Sequence, residues 1–81
     1  MRANRAYHLI VSRSGLGPAF LADGTRVDRI ELVSVDDGEV VLYWRVPAKL
    51  AARMLREMRS DLVSLQDTEF FEKWSAVPAQ P

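Results

Sequence analysis

The sequence predicts a single α+β domain. A small antiparallel sheet of three to four strands in a meander is followed by a long amphipathic helix and a short C-terminal helix, both packed on one sheet face. Three observations carry this. Apolar residues alternate with period two as far as Val46 and recur with period 3.6 after Pro47. Two runs rich in β-branched and aromatic residues, Arg29 to Val35 and Val40 to Val46, flank Asp36-Asp37-Gly38, a strong hairpin signal. A second helical pattern then starts at Asp67, with Phe70 and Trp74 spaced i,i+4.

Taken in order, residues 1–6 are polar and are expected to fray. Tyr7 to Arg13 reads as a strand, with Tyr7, Leu9 and Val11 on one face and His8, Ile10 and Ser12 on the other. Ser14 to Pro18, SGLGP, reads as a loop. Ala19 to Ala22 and Thr25 to Asp28 suggest a short hairpin about Asp23-Gly24, the source of a fourth strand.

The register of the long hairpin follows from its faces. A two-residue turn at Asp37-Gly38 would set Glu31 opposite Trp44 and mix charge with large apolar groups on both faces. A three-residue loop, Asp36 to Gly38, with Gly38 in the left-handed region, instead sets Ser34 opposite Val40, Leu32 opposite Leu42 and Ile30 opposite Trp44. One face then carries Ile30, Leu32, Val40, Leu42, Trp44 and Val46 as core. The other carries Val33, Val35, Val41 and Tyr43 with Arg29, Glu31 and Arg45. On it Arg29 lies opposite Arg45, an unfavourable like-charge pair that Glu31, diagonal to Arg45, partly offsets.

Pro47 suits the start of a helix, where its missing N–H is no loss. From Ala48 to about Leu65, the residues Leu50, Ala51, Met54, Leu55, Met58, Leu62 and Leu65 form one stripe. A break at Ser60-Asp61 is the alternative to one continuous helix. Asp67 is the expected N-cap of the second helix, with Glu69 at its positive end. The domain spans 7–75, and 76–81, with two prolines, is a flexible tail.

Composition narrows the function classes. The 81 residues carry 11 basic and 11 acidic side chains, so no global field draws the chain to nucleic acid or to an anionic membrane. There is no cysteine, which excludes disulfide and thiol chemistry and suits a reducing compartment. No apolar run approaches the roughly 18 residues of a membrane span. The apolar run near the N-terminus is too short for a signal peptide. The chain is therefore read as cytoplasmic.

Motifs for catalysis are absent. His8 is the one histidine, and no nucleophile or orienting partner is spaced to work with it. Asp36, Asp37 and Glu39 cluster at the hairpin tip, but turn chemistry accounts for them and a calcium loop needs a longer run of oxygen ligands. The glycines of SGLGP lack the lysine and the following helix of a phosphate loop. Met54 and Met58 are read as core packing rather than pocket lining. No enzyme, cofactor or metal is expected.

Two surfaces remain. Val33, Val35, Val41 and Tyr43, with Ile10, form an apolar patch rimmed by Arg29, Glu31, Arg45 and His8, the layout of an interface. Either the N-terminal segments fold over this patch, or it binds a partner. Lys49, Arg53, Arg56 and Arg59 form a basic row on the long helix that would fit along phosphates, though no aromatics interleave with it for base stacking. The reading is a non-catalytic protein–protein interaction module, homodimeric through the outer sheet face. The alternative is a small nucleic-acid-binding regulator using the basic row.

Overall fold

The structure is a computed structural model that describes residues 1–13 and 27–78. Within them the chain runs α1 (Ala3–Ala6), β1 (Tyr7–Arg13), β2 (Val27–Ser34), β3 (Val40–Pro47), α2 (Ala48–Ser64) and α3 (Asp67–Ser75). The three strands form one antiparallel sheet in the order β1-β2-β3, so this is the α+β layout the periodicities imply. SGLGP and the turn about Asp23-Gly24 lie outside the described residues. No described helix is long and apolar enough to cross a membrane.

Cross-strand partners share a face, so the register defines two surfaces. Leu9, Leu32 and Leu42 are in line, as are Val11, Ile30 and Trp44. These residues and Val46 make the inner face. Ala51, Met54 and Met58 of α2 and Phe70 and Trp74 of α3 close over it, and all five are buried. Trp44 meets Trp74 edge to face at 6.3 Å, and its Nε1–H donates to the Val77 carbonyl at 3.2 Å. Phe70 and Trp74 pack together at 6.2 Å, as their spacing predicts. Burying each large apolar side chain of this core is worth roughly 1.5–3 kcal/mol.

The hairpin tip departs from expectation by one residue. The Ser34 N–H donates to the Glu39 carbonyl and the Gly38 N–H to the Ser34 carbonyl, both at 2.8 Å. The loop is therefore Val35 to Gly38, four residues rather than three, with Gly38 at φ +75° as anticipated. Asp37 Oδ1 accepts the Glu39 N–H at 3.0 Å. This closure sets Val33, not Ser34, opposite Val40. Carried onward it would set Leu32 opposite Val41 and turn the apolar set of β3 to the wrong face. A bulge resolves the conflict: Val41 has no partner, and Leu32 opposite Leu42 with Ile30 opposite Trp44 is recovered. Val40, assigned to the core by simple alternation, is consequently 49% exposed.

The N-terminus also differs. Residues 1–6, expected to fray, instead carry the one-turn helix α1, with Ala3 fully buried. The Ala3 N–H donates to the Leu65 carbonyl at 3.0 Å and the Asp67 N–H to the Met1 carbonyl at 2.8 Å. Arg2 donates to the Ser64 carbonyl at 2.8 Å. These bonds satisfy backbone groups at the α2–α3 junction that helix termini leave open. The Val35 N–H donates to Ala6 at 2.9 Å, which ties the end of α1 to the hairpin.

α2 runs unbroken through Ser60 and Asp61. Its junction with α3 is capped by Gln66, not Asp67. The Gln66 side chain accepts the Glu69 N–H, and Glu69 Oε1 accepts the Gln66 N–H at 3.2 Å. This reciprocal box needs an acid three residues past the cap, a spacing that Gln66 and Glu69 satisfy. Asp67 keeps its favourable place in the first turn. Asp61 fastens the two helices, since Asp61 Oδ2 accepts from Lys73 Nζ at 2.7 Å and from Trp74 Nε1 at 3.0 Å.

Candidate functional site

With α1, α2 and α3 packed about the inner face, the register assigns His8, Ile10 and Ser12 of β1, Arg29, Glu31 and Val33 of β2, and Val40, Tyr43 and Arg45 of β3 to the outer face. β1 does not fold over the patch. It lies alongside β2 and extends it, adding Ile10 at 47% exposure. The notion that the stretch from Ala19 covers it falls largely outside the described residues.

The apolar centre is uneven. Val33 is 8% exposed between its cross-strand partners His8 and Val40. Val41 at the bulge and Tyr43 are 37% and 40% exposed. Val35 belongs to the hairpin loop rather than to a strand, and it too is exposed. Val40 was missed as a member of this surface. No signal in β3 alone reveals it, because the bulge that turns it outward is a compromise between loop closure and core pairing.

The rim is electrostatically unfinished. Arg29 and Arg45 are direct cross-strand partners, and both are exposed. The Arg29 guanidinium lies over the Tyr43 ring at 5.6 Å, a cation–π contact that anchors one of the two charges. Among the described residues neither arginine has an ion-pair partner, and the half-buried Glu31 reaches neither. The offset expected from Glu31 is therefore not made as a direct contact.

The basic row lies elsewhere. Lys49, Arg53, Arg56 and Arg59 are all exposed on α2. Arg56 and Arg59 border an open cleft of about 770 Å³ with Val11, Ala52 and Leu55. None of the four is ion-paired among the described residues, whereas Glu57 on the same helix is drawn to Lys73 at 3.0 Å. The structure thus separates the two candidate surfaces: the outer sheet face carries an apolar centre with a charged rim, and the cleft beside Arg56 and Arg59 of α2 is lined by no aromatic residue among those described.

Hydrogen bonds from Lys73 to Asp61 and then to Glu57 raise the lysine pKa above its ordinary value. Burial, reinforced by the Asp67 carboxylate, raises that of Tyr7, whose ring stacks on Phe70 and Phe71 at 5.9 and 6.2 Å. Lys73 lies on α3 and Tyr7 at the start of β1 against α3, and both serve the fold. Comparison of the chain with family models, with curated proteins and with solved structures finds no match, so the functional reading rests on the surfaces just described.

Proposed function

We propose that this protein is a non-catalytic protein–protein interaction module that self-associates through the outer face of its sheet, in a reducing, cytoplasmic setting. The observation that carries the reading is the one-sided placement of the helices. They cover the inner face, while the outer face leaves Ile10, Val40, Val41 and Tyr43 between 37% and 49% exposed. A contiguous apolar patch with a charged rim is the anatomy of an interface. A sheet face is large enough to be self-complementary, and a two-fold contact closes without leaving a free surface. Tyr43 serves as anchor, with an apolar ring and a hydroxyl that reaches the rim.

The test is Val41→Glu combined with Tyr43→Glu. Both side chains are exposed and outside the core cluster. The expected result is unchanged far-UV circular dichroism and the mass of a monomer by light scattering. An unfolded double variant would make this face part of the core, and a folded one of unchanged mass would remove it as an interface.

A second reading, a small nucleic-acid-binding regulator, rests on Lys49, Arg53, Arg56 and Arg59 of α2, none of them ion-paired among the described residues. Its mark would be binding to random DNA or RNA that falls steeply with salt. The zero net charge and the lack of stacking rings along α2 favour the first reading.

A further inference from the structure

We infer that two copies pack outer face to outer face about a two-fold axis that crosses β2 between Arg29 and Glu31, so that Arg29 of each copy pairs with Glu31 of the other. This rests on the self-association proposed above and adds its geometry. The outer positions of β2, the central strand, are Val27, Arg29, Glu31 and Val33. Laid against its own reverse, this set is self-complementary: valine meets valine and arginine meets glutamate. β3 places Pro47, Arg45, Tyr43 and Val40 beside the four in the same order. Within one copy the central charges are not neutralised. Among the described residues Arg29, Glu31 and Arg45 have no ion-pair partner, and the two arginines lie directly opposite each other, which weakens a strand pair. The Arg29 guanidinium lies 5.6 Å from the ring centroid of Tyr43, the cross-strand partner of Glu31. It therefore leans out of its own row toward the middle of the face.

Other placements of the axis oppose like charges or strand one. An axis parallel to the strands keeps each row level with its copy, so the Arg29–Arg45 row meets itself. An axis across the strands at Arg29, or at Glu31, again sets like against like. One between Glu31 and Val33 puts each carboxylate on the partner's valine, an unpaired charge in an apolar contact. Between Arg29 and Glu31 the same operation forms two ion pairs at the centre. It also lays Arg45 over the partner's Tyr43, Val27 against the partner's Val33, and Pro47 against the partner's Val40. Packed sheets lie about 10 Å apart, a gap that an arginine and a glutamate reaching toward each other span. The rows next to the axis are those that sheet twist displaces least, and they are the charged ones. Opposed charges set orientation and suppress the wrong register.

Charge exchange tests this. Arg29→Glu puts carboxylates at both central positions of β2, and Glu31→Arg puts arginines at both. Each variant alone is expected to dimerise at least about tenfold more weakly than the parent. Mixed in equal amounts, the two should form a heterodimer of near-parental affinity, read by sedimentation and by its intermediate mass in native mass spectrometry. Arg45→Glu is the control, because it changes the charge of the same row by the same amount as Arg29→Glu. Mixed with Glu31→Arg, it still leaves the new arginine at position 31 facing the partner's Arg29. That mixture should bind at least about threefold more weakly than the first.

Glu31 is half-buried, so each variant is first checked for parental far-UV circular dichroism. If Glu31→Arg does not fold, Glu31→Gln replaces it: the shape is kept, both ion pairs are lost, and the dimer should weaken at least about threefold. If the parent is dimeric and any of these position-29 or position-31 variants homodimerises as well as the parent, the Arg29–Glu31 axis is wrong. It is equally wrong if the first mixture does not recover, or if the two mixtures recover alike. The interface is decided apart from its axis by Val41→Ser with Tyr43→Ser. This pair adds no charge where the partner's Arg45 faces Tyr43, and it should weaken any outer-face dimer at least about tenfold. A monomeric parent overturns both the axis and the interface.

Discussion

Replacing Trp44 tests the core from its centre. The side chain is 1% exposed, lies opposite Ile30, meets Trp74 edge to face at 6.3 Å, and donates to the Val77 carbonyl at 3.2 Å. Trp44→Ala removes the whole ring, and such truncations cost about 3–5 kcal/mol. A stability of roughly 0.05–0.15 kcal/mol per residue gives this chain about 4–12 kcal/mol in all. The alanine variant therefore keeps between about −1 and 9 kcal/mol, and reaches its unfolding midpoint only if the parent lies at the lower end of that range. Trp44→Phe separates the contributions: it keeps a ring in the slot but loses the indole N–H, whose hydrogen bond is worth about 0.5–1.5 kcal/mol. The edge-to-face pairing is read from a double-mutant cycle of Trp44→Phe with Trp74→Leu, with an expected coupling of about 0.5–1.5 kcal/mol. Urea unfolding followed by far-UV circular dichroism is the assay, since fluorescence would lose its own reporter. A Trp44→Ala loss below about 1 kcal/mol, the range of surface substitutions, would place the ring outside the core and refute the packing.

Other outcomes follow from the helical layer and the basic row. Asp61→Ala strands the indole N–H of the buried Trp74 and is expected to lose about 1.5–3 kcal/mol in urea unfolding, while Asp61→Asn, which keeps an acceptor, loses less. Ala3→Leu forces a larger side chain into a fully buried position and should lower stability by about 1–3 kcal/mol, where a frayed terminus would show no change. Thermal stability should hold through neutral pH and fall in alkali. Tyr7 is favoured neutral in the fold, so the unfolded chain releases that proton first above its ordinary 10.0. The contribution of Lys73 is complete below its ordinary 10.5 and is lost as pH rises through the higher folded value. Tyr7→Phe should flatten part of that fall. No binding of random DNA or RNA is expected at physiological salt, and a tight salt-sensitive complex abolished by Arg53→Glu with Arg56→Glu would reverse the order of the two functional readings.

The parts of the fold legible in the sequence were those fixed by repeated local patterns. Alternation in β2 and β3 is enough to set Leu32 opposite Leu42, because slipping by one residue would expose the whole apolar set. The stripe containing Ala51, Met54 and Met58 is likewise redundant over several turns. The Val41 bulge was not legible, since it settles a disagreement between loop closure at Ser34–Glu39 and pairing at Leu32–Leu42, each reasonable on its own. Leu50 fits the helical stripe yet is 40% exposed, because it lies in the first turn of α2, at the end of its apolar face. Ala3 is buried without any periodic signal, as its environment is supplied by the distant α2–α3 junction. At the candidate site the sequence identified Arg29, Arg45 and Tyr43 on the same face, but not Val40, whose side the bulge reverses.

The docking of residues 1–3 onto the α2–α3 junction has a kinetic consequence. Arg2 and Ser64 are 62 residues apart, so this clasp closes a loop that contains the entire sheet and α2. Closure entropy rises with loop length, and contacts of such separation form only after nearer ones have shortened the path. The hairpin of β2 and β3, joined by four residues, is placed to form early; the N-terminal clasp is placed to form last. During vectorial synthesis residues 1–6 emerge before residues 64–67 and wait for them before they find their partners. Until then Phe70 and Leu65 lack part of their cover, which makes the interval before closure the stage at which this chain is most exposed to misassembly.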